Sequence, residues 1–340
     1  MRPSISVIIP IYNRLAILPQ VLESIYAQTL PVLEVILIDD GSPEHRSEDV
    51  EQLIQSRPGW QEWIRYERQE NQGQSVANNR GIAIARGEWL AFNGNDDLWL
   101  PQKLEWQFRA LEQYGRECRL CFTDAWYMNN PHMKMTAFQR GERALPGAIG
   151  KVDDPVRMVT RQHGVWMQTV IAKADLVREI GGLDPRLRYS DDHDFLFRAS
   201  LKTKFCYVGM PMVLIDRAPA DGRHKGEAKN WHRTEYCLEM DQYRFEKQLR
   251  LSDGLSADVR KAIHANLRSN QSHWATCHLI NGDYAKARES MRSAASYDLT
   301  VGVAVKTALT YAMPKIARSI FFARDSSGPP RYDRTSWRTA

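Results

Sequence analysis

The sequence predicts an α/β fold, with a mostly parallel sheet flanked by helices and an all-helical region after it. Up to about residue 222, short apolar runs of strand length alternate with segments of helical periodicity, which is typical of a parallel sheet covered on both faces. From Lys229 onward only helical spacing remains. We therefore expect one α/β domain over residues 1–222 and a helical region over residues 223–325.

The individual elements follow from the spacing of apolar residues. Predicted strands cover residues 5–9, 33–38, 63–66, 89–92 and 120–123, the first of them ending at Pro10. Predicted helices of the α/β domain cover residues 15–28, 48–56, 76–85 and 102–114, and a strand and a helix are predicted between residues 170 and 180. In the helical region the predicted helices cover residues 230–249, 257–280, 283–296 and 300–323.

Composition limits the class of protein. The 340 residues are 43% hydrophobic and 26% charged, which is ordinary for a globular protein. The formal net charge of +5 fits an acidic substrate or a membrane surface, but it is too small and too dispersed to indicate nucleic acid. Five cysteines form no even framework, so we expect a reducing cytoplasm, and we favour buried thiols over a metal or redox role for Cys118 and Cys121.

No apolar stretch of membrane-spanning length occurs in the sequence. The apolar segment Ile5–Pro10 near the N-terminus is too short for the core of a signal peptide. We therefore expect neither a signal peptide nor a membrane-spanning helix.

The segment Gly87–Trp99 holds the main candidate site. An apolar run ends there in two carboxylates, Asp96 and Asp97, which would suit Mg²⁺ or Mn²⁺ shared with substrate phosphates. Alone, the two acids fit an ordinary polar turn equally well. Two more polar clusters, Pro10–Arg14 and Asp39–Ser42, also follow predicted strands. Ligands of parallel sheets lie beyond the carboxyl ends of the strands, so this convergence favours the cation site.

A second acidic cluster lies at the start of a predicted helix after Ser190. The helix dipole favours negative charge in a first turn, and Ser190 or Asp191 can cap the helix. Three acids and His193 within four positions are more than a cap requires. The cluster therefore predicts a carboxylate that acts as a general base.

Two segments are open to alternative interpretations. Residues 125–165 lack periodicity and are either a mobile lid or acceptor-binding loop, or an excursion with small helices of its own. The segment Asn281–Arg288 resembles a helical-hairpin turn of the tetratricopeptide kind. One copy is not a repeat array, so packed bundle helices are favoured there.

The C-terminal end of the chain predicts two further features. The last predicted helix combines apolar and basic side chains, which gives the hypothesis of peripheral contact with an anionic membrane face. Its basic residues are Lys306, Lys315, Arg318 and Arg324. Residues 326–340 are polar and rich in Gly, Pro and Arg, and we expect them to be disordered.

Five motifs together resemble those of family 2 glycosyltransferases, in the order in which that family has them. They are Ser6–Arg14, Ile38–Ser42, Asn71–Gly81, Gly87–Pro101 and the segment from Gly181 to Asp192. The resemblance covers about residues 4–222. It implies a GT-A fold, which is Rossmann-like, a nucleotide-sugar donor (often a UDP-sugar), a divalent cation (Mn²⁺ or Mg²⁺) and inversion at the anomeric carbon.

The resemblance also implies roles on the donor side. Pro10, Tyr12 and Arg14 would lie near the nucleotide base and phosphates. Asp39 would bind the base through a ring N–H, and Arg80 would lie near the diphosphate. We group Asn95 with these donor-binding residues.

The resemblance implies metal-binding and catalytic roles for the aspartates. Asp96 would hold the metal, with Asp97 beside it, and Asp192 would be the catalytic base. Asp191 stands where the family usually has Glu, and we place it on the acceptor side with Trp99.

This chain departs from the family pattern at Gly94, where the first acid of the metal turn is usual, and at His193, where an aromatic residue is typical. The change at Gly94 leaves metal affinity and donor choice open. His224 or His232 could supply another contact to the donor phosphates, although an ordinary surface histidine is favoured at both positions.

Together these features predict an inverting, metal-dependent, hexosyltransferase-like enzyme. It would transfer a sugar from a nucleotide-diphosphate sugar to a hydroxyl of a glycan or lipid-linked acceptor in surface polysaccharide biosynthesis. The alternative is a catalytically degenerate nucleotide-sugar-binding regulator or scaffold. A dinucleotide-dependent enzyme is disfavoured, because Pro10–Arg14 stands where Gly-x-Gly-x-x-Gly would follow the first strand.

Overall fold

The fold is described from a computed structural model of the chain. The structure describes residues 3–128, 135–141, 145–161, 164–216 and 235–326. Contacts between Cα atoms divide the chain into two compact units, Met1–Pro219 and Ala220–Ala340. Three predictions lie outside the described residues: contacts of His224, contacts of His232, and disorder of the tail from residue 327 onward.

The N-terminal unit is built on one mixed sheet. Its strands run in the order β3-β2-β1-β4-β8-β6-β9-β5, and β7 also pairs with β9. The described strands are β1 Ile5–Ile11, β2 Glu34–Asp39, β3 Ile64–Arg68, β4 Trp89–Phe92, β5 Leu98–Trp99, β6 Cys118–Met128, β7 Ile149–Val152, β8 Val170–Lys173 and β9 Lys204–Asp216.

The predicted fold class is confirmed: the sheet is flanked by helices, and a helical region follows it. Strands β3, β2, β1 and β4 are parallel to one another, so their carboxyl ends lie along one edge. Strand β8 then runs antiparallel to β4, which ends the parallel half of the sheet. The polar segments that follow β1, β2 and β4 therefore meet at one edge.

The predicted end of the first strand at Pro10 is wrong. Strand β1 continues to Ile11, and Pro10 pairs with Ile38 of β2. Strand β4 ends opposite Ile8, so β1 has a neighbour on one side only at Pro10. A proline, which lacks a backbone N–H, is tolerated where one side of a strand carries no ladder.

The sequence missed β5, β7 and the 13-residue strand β9, and it predicted only a third of β6. Strand β9 contains Gly209 and Pro211, which are poor strand residues. Its register with β6 shifts near Asp124, which indicates a bulge. An apolar run interrupted in this way does not show the alternation that predicts a strand.

The helices of the N-terminal unit cover both faces of the sheet with apolar side chains. The described helices are α1 Leu18–Tyr26, α2 Ser47–Gln55, α3 Trp60–Trp63, α4 Gln74–Ile84, α5 Lys103–Tyr114, α6 Ala137–Arg140, α7 Pro155–Arg161, α8 Ala174–Glu179 and α9 Asp191–Ser200. Two of them, α6 and α7, are short helices within residues 125–165. The role of that segment as a lid or acceptor-binding loop stays a prediction.

The sheet also buries the thiols near its centre. Cys118 and Cys121 of β6 are free and buried, as is Cys206 of β9. The prediction of buried thiols for Cys118 and Cys121 is therefore confirmed.

The C-terminal unit is helical throughout its described part. Its helices are α10 Glu235–Arg250, α11 Ala257–Ile280, α12 Tyr284–Tyr297, α13 Val301–Ala312 and α14 Pro314–Ser326. The predicted single helix over residues 300–323 is wrong, because Met313 leaves the helical conformation and Pro314 begins a new helix. In the described part of the chain, no helix is both long and apolar enough to cross a membrane.

Candidate active site

The turn after β2 buries the Asp39 carboxylate among donors from the protein. Asp39 has no exposed surface. Its Oδ1 accepts hydrogen bonds from the backbone N–H and the hydroxyl of Ser42, at 2.9 and 2.7 Å. Its Oδ2 accepts from Tyr66 Oη at 3.2 Å and Arg68 Nη1 at 3.0 Å, and His45 Nε2 lies 3.3 Å away. The charge of Asp39 is therefore stabilised from within the fold.

Asp40, the next residue, positions the loop that leads into α4. Its Oδ1 accepts from Gln69 Nε2 at 2.8 Å and from the backbone N–H of Gln72 at 2.9 Å. Its Oδ2 accepts from the backbone N–H of Gly73 at 2.8 Å. The two aspartates of this turn thus fix the end of β2 and the start of α4 together.

The segment after β1 is held in a strained conformation. Asn13 and Arg14 have φ values of 59° and 57°, in the left-handed region that few non-glycine residues adopt. Asn13 is fixed by a hydrogen bond from its backbone N–H to Ser42 Oγ at 2.9 Å and by one from Asn95 Nδ2 to its carbonyl at 3.0 Å. The Arg14 guanidinium forms an ion pair with the Asp96 carboxylate.

The turn after β4 brings two carboxylates towards one point. A Cβ atom at Gly94 would lie 2.7 Å from Asp97 Oδ2 and 3.0 Å from Asp96 Oδ1. The other oxygen of Asp97, Oδ1, accepts a hydrogen bond from the backbone N–H of Asp216 at 2.9 Å. An acid at position 94 would displace these carboxylates, so the glycine gives both of them room.

These two carboxylates fit a cation site that the substrate would complete. Mg²⁺ in proteins is usually bound by one or two carboxylates together with substrate phosphates and water, and Asp96 and Asp97 match that donor set. Among the residues that the structure describes, no group of three or more His, Cys, Asp or Glu could hold a metal ion. The donor set fits a divalent cation only when phosphate oxygens join it.

The second acidic cluster lies at the N-terminus of α9, where the helix dipole favours negative charge. Asp191 Oδ2 lies 2.9 Å from Ser75 Oγ, whose single hydrogen is shared with the Leu187 carbonyl at 2.7 Å. Asp192 Oδ1 accepts from the backbone N–H of His193 at 2.8 Å. Burial, and then the adjacent Asp192 charge, raise the pKa of Asp191 to about 7.

Hydrogen bonds connect all of these segments. Asn13 joins the segment after β1 to Ser42 after β2 and to Asn95 after β4. Asp40 holds Gly73 at the start of α4, and Ser75 in the first turn of α4 contacts Asp191 of α9. Five segments that are distant in the sequence are thus connected at the carboxyl edge of the parallel strands.

Other predicted site residues have different surroundings. Tyr12 is exposed at the edge of the sheet. Arg80 Nε donates to Glu67 Oε2 of β3 at 2.6 Å. Trp99 is 3% exposed, and Lys103 Nζ lies 3.8 Å from the centre of its ring. The nucleotide roles of Tyr12 and Arg80 and the acceptor role of Trp99 stay predictions.

Sequence reasoning missed three residues that organise the site: Tyr66, Arg68 and Ser75. Tyr66 and Arg68 hold Asp39, and the parallel register that pairs Arg68 with Asp39 is the signal that could have found Arg68. Ser75 has no comparable signal, because its contact with Asp191 spans 116 residues of sequence.

Solved structures define the class of protein. The chain superposes with a TM-score of 0.64 on the crystal structure of S. aureus TarS 1–349 in complex with UDP-GlcNAc, at 14% identity over 94% of this chain and 91% of that one. It also resembles the mannosyltransferase PcManGT from Pyrobaculum calidifontis in complex with GDP-Man and Mn²⁺, with a TM-score of 0.55 and 17% identity over 95% and 85% of the two chains. The fold is that of the GT-A glycosyltransferases.

Sequence comparison gives the family. Residues 6–167 match the family described as Glycosyl transferase family 2. An uncharacterized glycosyltransferase of Haemophilus influenzae is 29% identical over 209 residues, which are 59% of this chain and 63% of the relative. The uncharacterized glycosyltransferase YibD of Escherichia coli is 39% identical over 101 residues, which are 30% of this chain and 28% of YibD. The match to family 2 of the glycosyltransferases thus lies within the α/β domain and covers just under half of the chain.

Proposed function

We propose that this chain is an inverting glycosyltransferase that takes a sugar from a nucleotide-diphosphate sugar, with UDP as the nucleotide. The observation that carries the proposal is a chain of hydrogen bonds. It links the turn of Asp96 and Asp97 to the start of α9 through Asn13, Asp40 and Ser75. The TarS complex with UDP-GlcNAc supports a UDP-sugar by analogy of fold.

On the donor side, Asp96 and Asp97 would hold the divalent cation. The cation would supply stabilisation of the negative charge that develops on the leaving diphosphate. Arg14 lies against Asp96 and places a fixed positive charge at the same point. The strained backbone at Arg14 directs that charge to the edge of the sheet, where it can face an anionic donor.

On the acceptor side, Asp192 would accept the proton of the attacking hydroxyl. Attack from the face opposite the leaving group inverts the anomeric carbon, and a single base is enough for that reaction. Burial and the adjacent Asp192 charge raise the pKa of Asp191 to about 7. When Asp191 loses its proton, a second negative charge stands beside Asp192 and makes it a stronger base, so we expect the transfer rate to rise as the pH passes through about 7.

The test is release of nucleoside diphosphate from UDP-GlcNAc, UDP-glucose and GDP-mannose, with and without Mn²⁺. We expect Mn²⁺-dependent release from one of the UDP-sugars. Asp96→Ala should weaken donor binding and raise the Mn²⁺ concentration required, because one of two carboxylate ligands is lost. Asp153→Ala, at an exposed acid of the same unit, is the control. Binding of a UDP-sugar without any turnover, over a panel of acceptors, would instead favour a catalytically degenerate regulator or scaffold.

For the acceptor, we propose a hydroxyl of a glycan or of a lipid-linked sugar used in surface polysaccharide biosynthesis, reached from the cytoplasmic side of the membrane. Peripheral membrane contact through the C-terminal helices belongs to this proposal.

A further inference from the structure

Helix α13 of the C-terminal unit exposes several apolar side chains while it turns polar ones inward. A helix on a protein in water normally buries its apolar stripe and exposes polar side chains. The interior side of α13 contains Lys306 and Thr310 as well as the apolar Val303. Lys306 Nζ donates to Thr276 Oγ1 at 2.8 Å, and the Thr310 hydroxyl donates to the Lys306 carbonyl at 2.8 Å. Thr310 has no exposed surface at all.

The exposed side of α13 is apolar and continues onto α14. Val301 and Val305 are 82% and 54% exposed, and Ile316 of α14 is 51% exposed. The exposed apolar residues of α13 follow helical spacing, and those of α14 come directly after the break at Pro314. We name the whole set the α13–α14 apolar face. Its residues are Val301, Ala304, Val305, Ala308, Ala312, Met313, Ile316 and Ile320. A contiguous exposed surface of this kind marks an interaction site.

The charges within this stretch of the chain are basic. From Leu299 to Arg324 the sequence contains no Asp or Glu, and its basic residues besides the interior Lys306 are Lys315, Arg318 and Arg324. Lys315 and Arg318 are exposed beside Ile316. Arg288 and Arg292 of α12 reach the end of α13, where they donate to the Tyr311 carbonyl at 3.1 Å and hydroxyl at 3.2 Å. The apolar face therefore has a basic rim.

We propose that the α13–α14 apolar face lies on the surface of an anionic lipid bilayer, with its apolar side chains among the acyl chains and its basic rim at the head groups. The lipid surface would bring the chain to its acceptor. This part of the inference rests on the proposed function, in which the acceptor is a lipid-linked sugar. Apolar side chains beside a cationic rim are the features of helices that bind membrane interfaces.

Three observations favour this occupant and this geometry. A second copy of the chain in a two-fold interface would bring the same basic rim against itself, whereas an anionic bilayer complements it. At 12 residues, α13 is about 18 Å long, against about 30 Å of hydrocarbon in a bilayer, so it lies along the surface. A groove of about 360 Å³ at the junction of the two helices, lined by Ala312–Ile316, gives an acyl chain a place to lie.

The test is co-sedimentation of the full-length chain with vesicles of phosphatidylcholine containing one third phosphatidylglycerol, compared with phosphatidylcholine alone. We expect binding to the anionic vesicles that weakens with salt. Val305→Asp with Ile316→Asp should weaken binding by at least about tenfold, because two apolar side chains are lost from the lipid. Lys315→Gln with Arg318→Gln leaves the apolar face intact and should weaken binding by about fivefold for each charge removed.

Leu251→Asp is the matched control, since Leu251 is 41% exposed in the same unit and lies outside the face. It should bind vesicles like the natural chain. Donor binding, measured with a soluble UDP-sugar, should be unchanged in all variants, and this separates failure of the lipid inference from failure of the proposed function. Absence of binding to anionic vesicles overturns the inference. If Val305→Asp then converts a dimer to a monomer in analytical ultracentrifugation, the face is an interface between copies.

Discussion

The two units depart from the usual distribution of side chains in opposite directions. The N-terminal unit buries charge, because Glu34, Asp39 and Lys103 have no exposed surface. The C-terminal unit exposes apolar surface at Val301 and Val305. The two units differ in where the partners of these unusual side chains come from. The fold supplies donors to the buried carboxylates, whereas the α13–α14 apolar face is left for a partner from outside the unit.

Glu34 and Lys103 of the N-terminal unit are both buried, but the groups that surround them shift their pKa values differently. Burial raises the pKa of Glu34, but hydrogen bonds from Ser6, Arg86 and Arg65 outweigh that effect and leave it below its usual value. Lys103 has one hydrogen bond, to Gln107, and the Trp99 ring, and burial lowers its pKa to about 7. In this pair of buried residues, the carboxylate that several donors face keeps its charge, and the charge of the ammonium group with few partners is disfavoured.

The largest effect is expected at the acidic pair of α9. Asp192→Asn should lower kcat by about a hundredfold to ten-thousandfold, because the attacking hydroxyl loses its base. Binding of UDP, measured by calorimetry, should stay near its normal value, because Asp192 is assigned no contact with the nucleotide. Asp153→Asn, at an exposed acid, is the control. A variant that keeps most of its turnover would remove Asp192 from this role.

The second-largest effect is expected at Glu34, a buried carboxylate that stabilises the fold. Glu34 accepts hydrogen bonds from Ser6 Oγ at 2.7 Å, from the Arg86 backbone at 2.8 Å and from the Arg65 and Arg86 guanidinium groups. Glu34→Gln should lower the free energy of unfolding at pH 7 by about 2–3 kcal/mol, because buried donors lose a charged acceptor. Urea denaturation measures the change.

The pH dependence of this effect has a definite sign. The folded-state pKa of Glu34 is below its unfolded value, so its contribution is fully present above pH 4.5 and is lost as the pH falls through the folded value. The difference in stability between Glu34→Gln and the natural chain should therefore shrink in acid. Glu117→Gln, at an exposed acid paired with Lys151 and Lys204, should change stability much less. Equal losses in the two variants would contradict the role assigned to burial.

The edge of the parallel strands was predictable from the sequence because its signals are local. Strand β4 lies at the predicted residues 89–92, and α11 lies at the predicted residues 257–280. An apolar run bounded by turn residues identifies such an element without knowledge of its neighbours. The positions of Asp39, Asp96 and Asp97 after strands then follow from the topology of a parallel sheet.

The remaining features depend on tertiary contacts that no local pattern encodes. The antiparallel half of the sheet is an example, because β9 is recognisable only from its pairing with β5, β6 and β7. The contact between Ser75 and Asp191 is another, and it determines how α9 meets the rest of the site. The exposure of Val301 and Val305 on α13 also required the structure, since periodicity gives a stripe of residues but not which side is buried.

The smallest effect on the free energy of unfolding is expected at Val305, on the exposed side of α13. Val305→Asp should change the free energy of unfolding by no more than about 0.5 kcal/mol, as is usual for a surface position away from special features. Val303→Asp, at a buried position on the opposite side of α13, is the matched control and should destabilise the unit far more. Thermal unfolding of the two variants compares the two faces of one helix. If both variants lose stability alike, Val305 is covered within the chain in solution, and the exposed face cannot be offered to a lipid surface.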